Sequence, residues 1–511
     1  MVDPATASHI VLASTPGWSH FRTMCILAAR LTAERPIVVT ILVPYWMKIL
    51  DQVNSETARY LQNVPIPRGL LRIIAVGEHS EAQNPAEIFA VGFQAMQSLW
   101  PRLIGNQSVE CSATHTIHAP TKPPSVVLID PFLYSWYPIL RTSPKTSIMW
   151  YVAGTAAGGA YICQPGGRYT VDELLDKNKG RPQMTGRILQ LAAHPPMYDW
   201  EFAPQKLEHF DIMIKLEAVI TQALDESDGI VTTCSVGFDG EAALAGMDAL
   251  ATRNRPSFHL GPLVPFKDGT TEFSPATLEA ELATAPPGVA SAIQSFLDDH
   301  LTSKGSHSVI YICFGTHVWP KENIDHLWAL LDALGDRGIP FVLSHSSPTA
   351  QIPSEIRKRY ADSKMGLLVP WSPQQTVLAH KAVGWFVTHG GAGGTLDALS
   401  QGVPMIGWPS FGDQPSNIAY LTHIADVAFE LIEVRTGEHG LKPLLPSGKT
   451  PTGTLEAFQK ELQVLLDDMA GSAGARKRQN AKKHQAELGK AWSEGGPARA
   501  AFNHFVERFN L

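Results

Sequence analysis

Short apolar runs rich in β-branched residues recur along the chain, with helix-length polar or amphipathic stretches between them. In the first half these runs are His9–Ser14, Ile37–Val43, Leu71–Val76, Val126–Asp130, Ile148–Val152 and Ile230–Cys234. The second half repeats the style with Val309–Phe314, Phe341–Ser344, Leu367–Val369, Gly384–Thr388 and Met405–Trp408. Continuous apolar runs suit parallel strands buried on both faces, and their alternation with helices predicts doubly wound α/β sheets. Two such sets predict two Rossmann-like domains. Ligands of open α/β sheets bind at the carboxyl ends of the strands, so the expected site is the cleft between the two sheets.

Three stretches break the rhythm. Gly261 to Gly305 holds "GPLVPF", "FSP" and "APPG", whose proline and glycine density predicts a linker or surface excursion. Asp172–Tyr198, with "RPQ" and "HPPMYDW", predicts an irregular helical excursion over the first domain. The terminal "GPARAAFNHFVERF" has apolar residues at helical spacing and predicts a closing amphipathic helix.

Bulk properties narrow the picture. A chain of 511 residues exceeds one ordinary core and fits two domains of roughly 200 to 250 residues. A hydrophobic content of 44% with 17% charged residues describes a globular protein. The net charge of −7, without a long basic run, argues against a nucleic-acid partner. Cys25, Cys111, Cys163, Cys234 and Cys313 are scattered, as expected of reduced thiols rather than a disulfide framework or a zinc site. "HIVLAST" reads as a first strand and not as a signal peptide, and no apolar span reaches the roughly 18 residues of a transmembrane helix. A cytoplasmic protein is expected.

The chemistry begins at Thr388–Leu399, "THGGAGGTLDAL". A strand runs into glycines and then into a helix, so the backbone can approach an anion closely while exposed N–H groups and the helix dipole attract it. A ligand-free turn or a dinucleotide fingerprint would also use glycines here, but "GGAGG" lacks the G-x-G-x-x-G spacing. The flanks extend the pattern. Upstream are Trp371-Ser-Pro-Gln374 and "VLAHKAVGWFVTHGG"; downstream are Asp397, "GVPMIGWP" and Asp413-Gln414. Together these residues resemble the donor-binding signature of the family 1 UDP-sugar glycosyltransferases.

The resemblance implies a role for each position. Trp371 would stack on uracil, Gln374 would assist at the nucleoside, and Asp397 would accept the ribose hydroxyls. His389 and the amides around Gly391, Gly393 and Gly394 would face the diphosphate, and Asp413 and Gln414 the sugar hydroxyls. Gln414 at the final position resembles glucose users. Read singly, Trp371 also fits a core residue and Asp397 a helix first-turn charge. There are departures too. Gly390, Ala392, Gly393 and Gly394 stand where plant members place Cys, Trp, Asn and Ser, which leaves bare amides for the phosphates, closer to fungal and microbial relatives. Asp397 replaces a Glu and is shorter by one methylene.

In the first domain, "TPGWSHFRTMCILAARL" resembles the loop that carries the family's catalytic histidine, with His20 in that place and Ser19 in place of a Gly. A histidine at a helix N-terminus feels the positive dipole end, which favours the neutral imidazole a general base requires. Asp130 ends the strand "VVLID", where the family's activating Asp sits before an aromatic-rich loop, "PFLYSWYP". Such an Asp fixes the tautomer and stabilises the imidazolium as it forms. "SVIYICFGTHVWP" resembles the family's opening of the second domain, with Thr316 toward phosphate. "SEGGPARAAFNHF" resembles its C-terminal stretch. The chain contains no D-x-D, G-x-S-x-G, H-E-x-x-H or Walker A sequence.

The resemblance therefore implies a GT-B fold, two facing Rossmann-like domains with an interdomain cleft. The expected divisions are an acceptor-binding domain at 1–262, a linker at 263–305, a UDP-sugar-binding domain at 306–490 and a closing helix at 491–511 that packs back on the first domain. The implied enzyme is a monomeric, inverting, metal-independent glycosyltransferase without a cofactor. It would move glucose from UDP-glucose as co-substrate to a hydroxyl of a small apolar acceptor such as a phenol, flavonoid, sterol or terpenoid. Trp18, Phe21, Phe93, Trp136 and Tyr137, expected near the catalytic pair, are candidate acceptor contacts, though core packing accounts for any one of them equally well. A UDP-sugar epimerase or hydrolase on the same fold, or a non-catalytic nucleotide-sugar-binding protein, are the alternatives.

Overall fold

The computed structural model describes residues 3–14, 17–44, 49–61, 69–77, 85–156, 158–159, 184–206, 220, 222–250, 255–266 and 268–511. The first sheet takes β1 (Ser8–Ala13), β2 (Ile37–Pro44) and β3 (Leu71–Val76). A small antiparallel pair follows, β4 (Val109–Glu110) with β5 (Ile117–His118). The sheet continues with β6 (Val126–Ile129) and β7 (Ser147–Val152). A second antiparallel pair, β8 (Ile188–Leu189) with β9 (Met197–Tyr198), precedes β10 (Gly229–Thr232) and β11 (Ser257–His259). All pairings in this sheet are parallel, in the order β11-β10-β7-β6-β1-β2-β3.

The second sheet is built from β12 (Val309–Cys313), β13 (Phe341–Ser344), β14 (Gly366–Val369), β15 (Val383–Thr388), β16 (Met405–Gly407) and β17 (Ala428–Glu430). It too is parallel, in the order β14-β13-β12-β15-β16-β17. Strand order reverses between β1 and β6 in one sheet and between β12 and β15 in the other. Loops diverge at such a switch point and leave a crevice.

All eleven apolar runs of the sequence are strands, with ends moved by a residue or two. The runs are continuous because both faces of each strand are covered. Along β1, Ile10 and Leu12 enter one apolar layer while Val11 and Ala13 enter the other. In β12, Val309 and Tyr311 divide from Ile310 and Ile312 in the same way. Each fully buried aliphatic of this size stabilises the fold by roughly 1.5–3 kcal/mol. The edge strands β11 and β17, three residues each, lacked a run long enough to recognise.

Two irregular stretches differ from expectation. Of Asp172–Tyr198, residues 172–183 lie outside the described residues, and the rest holds the β8–β9 pair rather than helix. Pro195 and Pro196, just before β9, have no N–H to continue a helical ladder. Within Gly261–Gly305, the structure places two helices. One is α3 (Pro275–Leu282), after α1 (Trp18–Glu34) and α2 (Leu50–Leu61) of the first half. Ser274 caps α3 by accepting from Thr277 N–H, with Pro275 at the first turn. The other is α4 (Val289–Lys304), which buries Ile293 and Leu297 against the second sheet. The prolines and glycines that suggested a linker are cap and loop residues.

Four more helices frame the cleft or close the molecule: α5 (Gln374–Ala379), α6 (Ala392–Ser400), α7 (Gln414–His423) and α8 (Pro497–Arg508). Phe502, Phe505 and Val506 of α8 lie in the core of the first sheet, with Phe505 edge-on to Phe258 of β11 at 5.3 Å. Among the described residues no helix is long and apolar enough to cross a membrane, and Cys25, Cys111, Cys234 and Cys313 are buried free thiols.

Candidate functional site

The two walls of the cleft are built from the two switch points. On the first wall, β1 and β6 lie side by side with Ala13 opposite Ile129, so the residues that follow these strands are neighbours. His20 stands in the first turn of α1 and Asp130 immediately follows β6. His20 Nδ1 meets Asp130 Oδ2 at 2.5 Å. Asp130 is fully buried and firmly placed. Its Oδ2 also accepts from Ser14 Oγ at 3.2 Å, and its Oδ1 accepts from Phe132 N–H at 3.0 Å. With Nδ1 held by the carboxylate, His20 Nε2 is the ring atom that remains for chemistry.

The dipole expectation for His20 is overruled by this contact. Burial disfavours the charged ring, yet the charge and hydrogen bond of Asp130 outweigh it, helped by Asp413 across the cleft. The net shift of His20 is upward from the ordinary histidine value. Asp413 itself is raised by burial, against the pull of Asn417 and His20.

On the second wall, Cys313 of β12 pairs with Thr388 of β15, which sets the Gly315–Thr316 turn beside the glycine loop. His389 fits only because both neighbours are glycine. A Cβ on Gly391 would stand 2.5 Å from His389 Nε2, and one on Gly315 would stand 3.0 Å from its Cε1. Gly315 has φ +75°, which also favours glycine. Burial, with the charge of His317, lowers His389 to about 4, so it is neutral near pH 7. Its Nδ1 has no hydrogen-bond partner among the described residues. Gly391 is the N-cap of α6 and offers no side chain to cap it, and of the first-turn amides that of Ala392 is bonded to the Asp413 carboxylate. The first turn therefore presents backbone amides and the positive dipole end to the cleft.

The walls touch at several points. The site of a Cβ on Gly393 lies 3.3 Å from Ser19 Cβ, and that of a Cβ on Gly158 lies 2.7 Å from Asp413 Cβ. Thr155 Oγ1 donates to Asn417 Oδ1 at 2.5 Å, and Asn417 Nδ2 donates to Asp413 Oδ2 and to Gly390 O, each at 2.8 Å. Gln414 opens α7, and its side-chain oxygen accepts from Ser410 and Phe411 N–H, which leaves its amide hydrogens for other partners. Trp371 is half-buried between β14 and α5.

Asp397 is buried, 1% exposed. Arg22 of α1 grips it with two hydrogen bonds of 2.6 and 2.8 Å, and Gln374 and Gln375 donate to it at 2.8 and 3.0 Å. Against the cost of burial, Arg22 first and then the glutamines hold its carboxyl below the usual range. Neither Arg22 nor Gln375 stands out in the sequence. Only the charge of Arg22 just before the apolar run of α1, and the paired glutamines after Trp371, mark them.

The acceptor candidates divide. Phe21 at 0%, Trp136 at 1% and Tyr137 at 0% exposure pack in the two cores of the first sheet, which corrects their assignment to a cleft surface. Trp18 and Phe93 are partly buried at the edges of those cores. Phe132, unnamed in the sequence reading, lies 6.1 Å from the His20 ring and is the aromatic neighbour of the pair. Among the described residues no cluster of three or more His, Cys, Asp or Glu could hold a metal ion.

Comparison with known proteins agrees with this geometry. Residues 289–439, which contain the glycine loop, match the family of UDP-glucoronosyl and UDP-glucosyl transferases. The UDP-glycosyltransferase eriJ of Hericium erinaceus is 29% identical over 96% of this chain and 97% of its own. An anthocyanidin 3-O-glucosyltransferase of Zea mays is 35% identical, over 40% of this chain and 38% of its own. Phytolacca americana UGT2, solved with UDP-2fluoro-glucose and pterostilbene, superposes with a TM-score of 0.70 at 17% identity, over 99% of this chain and all of that one. That last likeness carries the fold, GT-B. Around its glycine loop and along most of its length the chain is thus similar to the UDP-sugar-dependent glycosyltransferases, and it shares their GT-B fold.

Proposed function

We propose that the enzyme transfers glucose from UDP-glucose, with inversion, to a hydroxyl of a small and largely apolar acceptor. The observation that carries this reading is the 2.5 Å contact between His20 and Asp130 at the mouth of a glycine-lined cleft. His20 Nε2 takes the acceptor proton as the oxygen attacks the anomeric carbon. The bond from that carbon to the β-phosphate oxygen breaks, its electron pair leaves with UDP, and an α-linked donor gives a β-glycoside. Asp130 holds the imidazolium that forms. The first-turn amides of α6, with His389 and Thr316, meet the diphosphate charge without a metal.

Asp413 and Gln414 would face the sugar, Trp371 the uracil and Asp397 the ribose. Phe132, Trp18 and Phe93 supply an apolar approach for a phenol, flavonoid, sterol or terpenoid. In the same reading residues 1–262 bind the acceptor and 306–490 the donor, bridged by 263–305 and closed by 491–511. The protein is a cytoplasmic monomer, a location that the buried free thiols suit.

The test is UDP release from UDP-glucose with and without a panel of phenols and sterols, for the natural chain and His20→Ala. Acceptor-dependent release that disappears in the variant supports the proposal. Full release without acceptor would make the enzyme a hydrolase, and an undiminished variant would remove His20 from the mechanism.

A further inference from the structure

Asp397 receives four hydrogen bonds. Arg22 Nη2 (2.6 Å) and Gln375 Nε2 (3.0 Å) reach Oδ1; Arg22 Nη1 (2.8 Å) and Gln374 Nε2 (2.8 Å) reach Oδ2. An ionised carboxylate has about four lone-pair sites, so none is left for a ligand hydroxyl. The four donors are not equally fixed. Gln375 is fully buried, and its carbonyl is held by Arg59 Nη2 at 2.7 Å, which turns its amide toward Asp397. The backbone N–H groups of Gln375 and Thr376 are anchored on Glu281 at 3.1 and 2.7 Å. Gln374 and Gln375 belong to the same wall as Asp397. Arg22 alone comes from the facing wall.

The guanidinium presents two parallel N–H donors to one edge of the carboxylate. A cis vicinal diol presents two O–H donors to the same edge. Arg22 also has somewhere else to go: Glu56 Oε1 lies 3.6 Å from its Nε, steadied by Tyr60 OH at 2.8 Å. Moving from Asp397 to Glu56, which Arg59 also contacts, keeps Arg22 paired with a carboxylate, while the diol's two O–H groups take over its hydrogen bonds to Asp397.

We infer that Arg22 determines donor affinity: it competes for the ribose position on Asp397 and yields it to the nucleotide's diol, a reading that rests on Asp397 as the ribose acceptor. Donor binding therefore breaks the contact between α1 and α6 and moves Arg22 to Glu56. The residue acts on nucleotide binding and not on the reacting bond.

Two measurements on the full chain test this. The first is the dissociation constants of UDP and 2′,3′-dideoxy-UDP by calorimetry, for the natural protein and Arg22→Gln. With the competitor gone, UDP binds more tightly while the dideoxy analogue changes little, and the ratio between them rises about tenfold. Arg22→Lys keeps the charge but lacks the fork, and carries the same expectation of a raised ratio should the Gln variant not fold. An unchanged ratio, or equal weakening of both ligands as expected of a cation that serves the diphosphate, overturns the exchange. The second is a crystal structure with UDP. The diol on Asp397 with Arg22 turned to Glu56 is the expected result. The diol on Asp397 with Arg22 still in place overturns the exchange alone, and a diol bound elsewhere overturns the ribose reading beneath it.

Discussion

His20 and His389 stand on opposite walls of one cleft, and both follow a strand and stand at or just before the start of a helix. Their electrostatics are opposed. His20 is raised because Asp130 sits on its Nδ1, whereas His389 is lowered to about 4 by burial between two glycines with no carboxylate beside it. Position in a helix first turn decides neither case; the nearest charge does. In the proposed reaction the first ring gains a proton, and the second stays neutral near pH 7 next to the N-terminal end of α6.

The contrast breaks most visibly at Asp130. In Asp130→Asn the imidazolium loses its counter-charge, and kcat/KM falls on the order of 10²- to 10⁴-fold. The pH profile sharpens the same point. The free enzyme is active once His20 has lost its proton, so the acid limb of kcat/KM lies above 6.5, the ordinary histidine value, and drops in Asp130→Asn. A limb that stays in place in that variant would detach Asp130 from the base.

Stability separates the two rings next. For a raised group such as His20, the stabilisation is fully present below the unfolded value of 6.5 and disappears as pH rises through the folded value. For His389 the sign reverses: the folded state prefers the neutral ring, so stability is present above 6.5 and is lost as pH falls toward 4. That loss is on the order of 3 kcal/mol at most. Thermal unfolding of His389→Phe between pH 6.5 and 4 should show a shallower decline than the natural chain. Part of the decline remains, because His9 is lowered to about 3 and acts in the same direction.

Smaller effects distinguish the glycines of the loop. In Gly391→Ala the new methyl meets the His389 ring, the ring is displaced, and the donor KM rises about tenfold, or 1.4 kcal/mol. In Gly393→Ala the methyl only presses on Ser19 of the facing wall at 3.3 Å, and a few tenths of an ångström of opening relieve it. Steady-state kinetics should show a KM change of about threefold or less there.

Much of the fold was legible because parallel strands buried on both faces announce themselves as unbroken apolar runs. Val309–Cys313 and Val383–Thr388 are examples. The loops that follow them were legible because a glycine cluster or a histidine after a strand is unusual. What the sequence hid lies at longer range. Arg22 and Asp397 are 375 positions apart, and their pairing is created by the docking of two sheets, which no local pattern encodes. Aromatic residues near His20 and Asp130 were also ambiguous. Phe21 turns into the core while Phe132 turns toward the histidine, since the side of the helix or turn and not proximity in sequence decides exposure.

The chain passes between the two sheets twice, out after β11 and back before α8. The two passages are tied together where Trp492 Nε1 donates to Pro262 O at 2.8 Å. Nearby, Arg499 of α8 bonds Asp268 at 2.6 Å. A body held by one tether can swing and twist freely. Two tethers fastened at a shared point make a pivot, and residues 184–206 add a further attachment, with Gln205 Nε2 donating to Pro409 O and Val434 O. In the proposed cycle, a cleft that opens about this pivot parts Ser19 from Gly393 and Arg22 from Asp397, and closing restores both contacts.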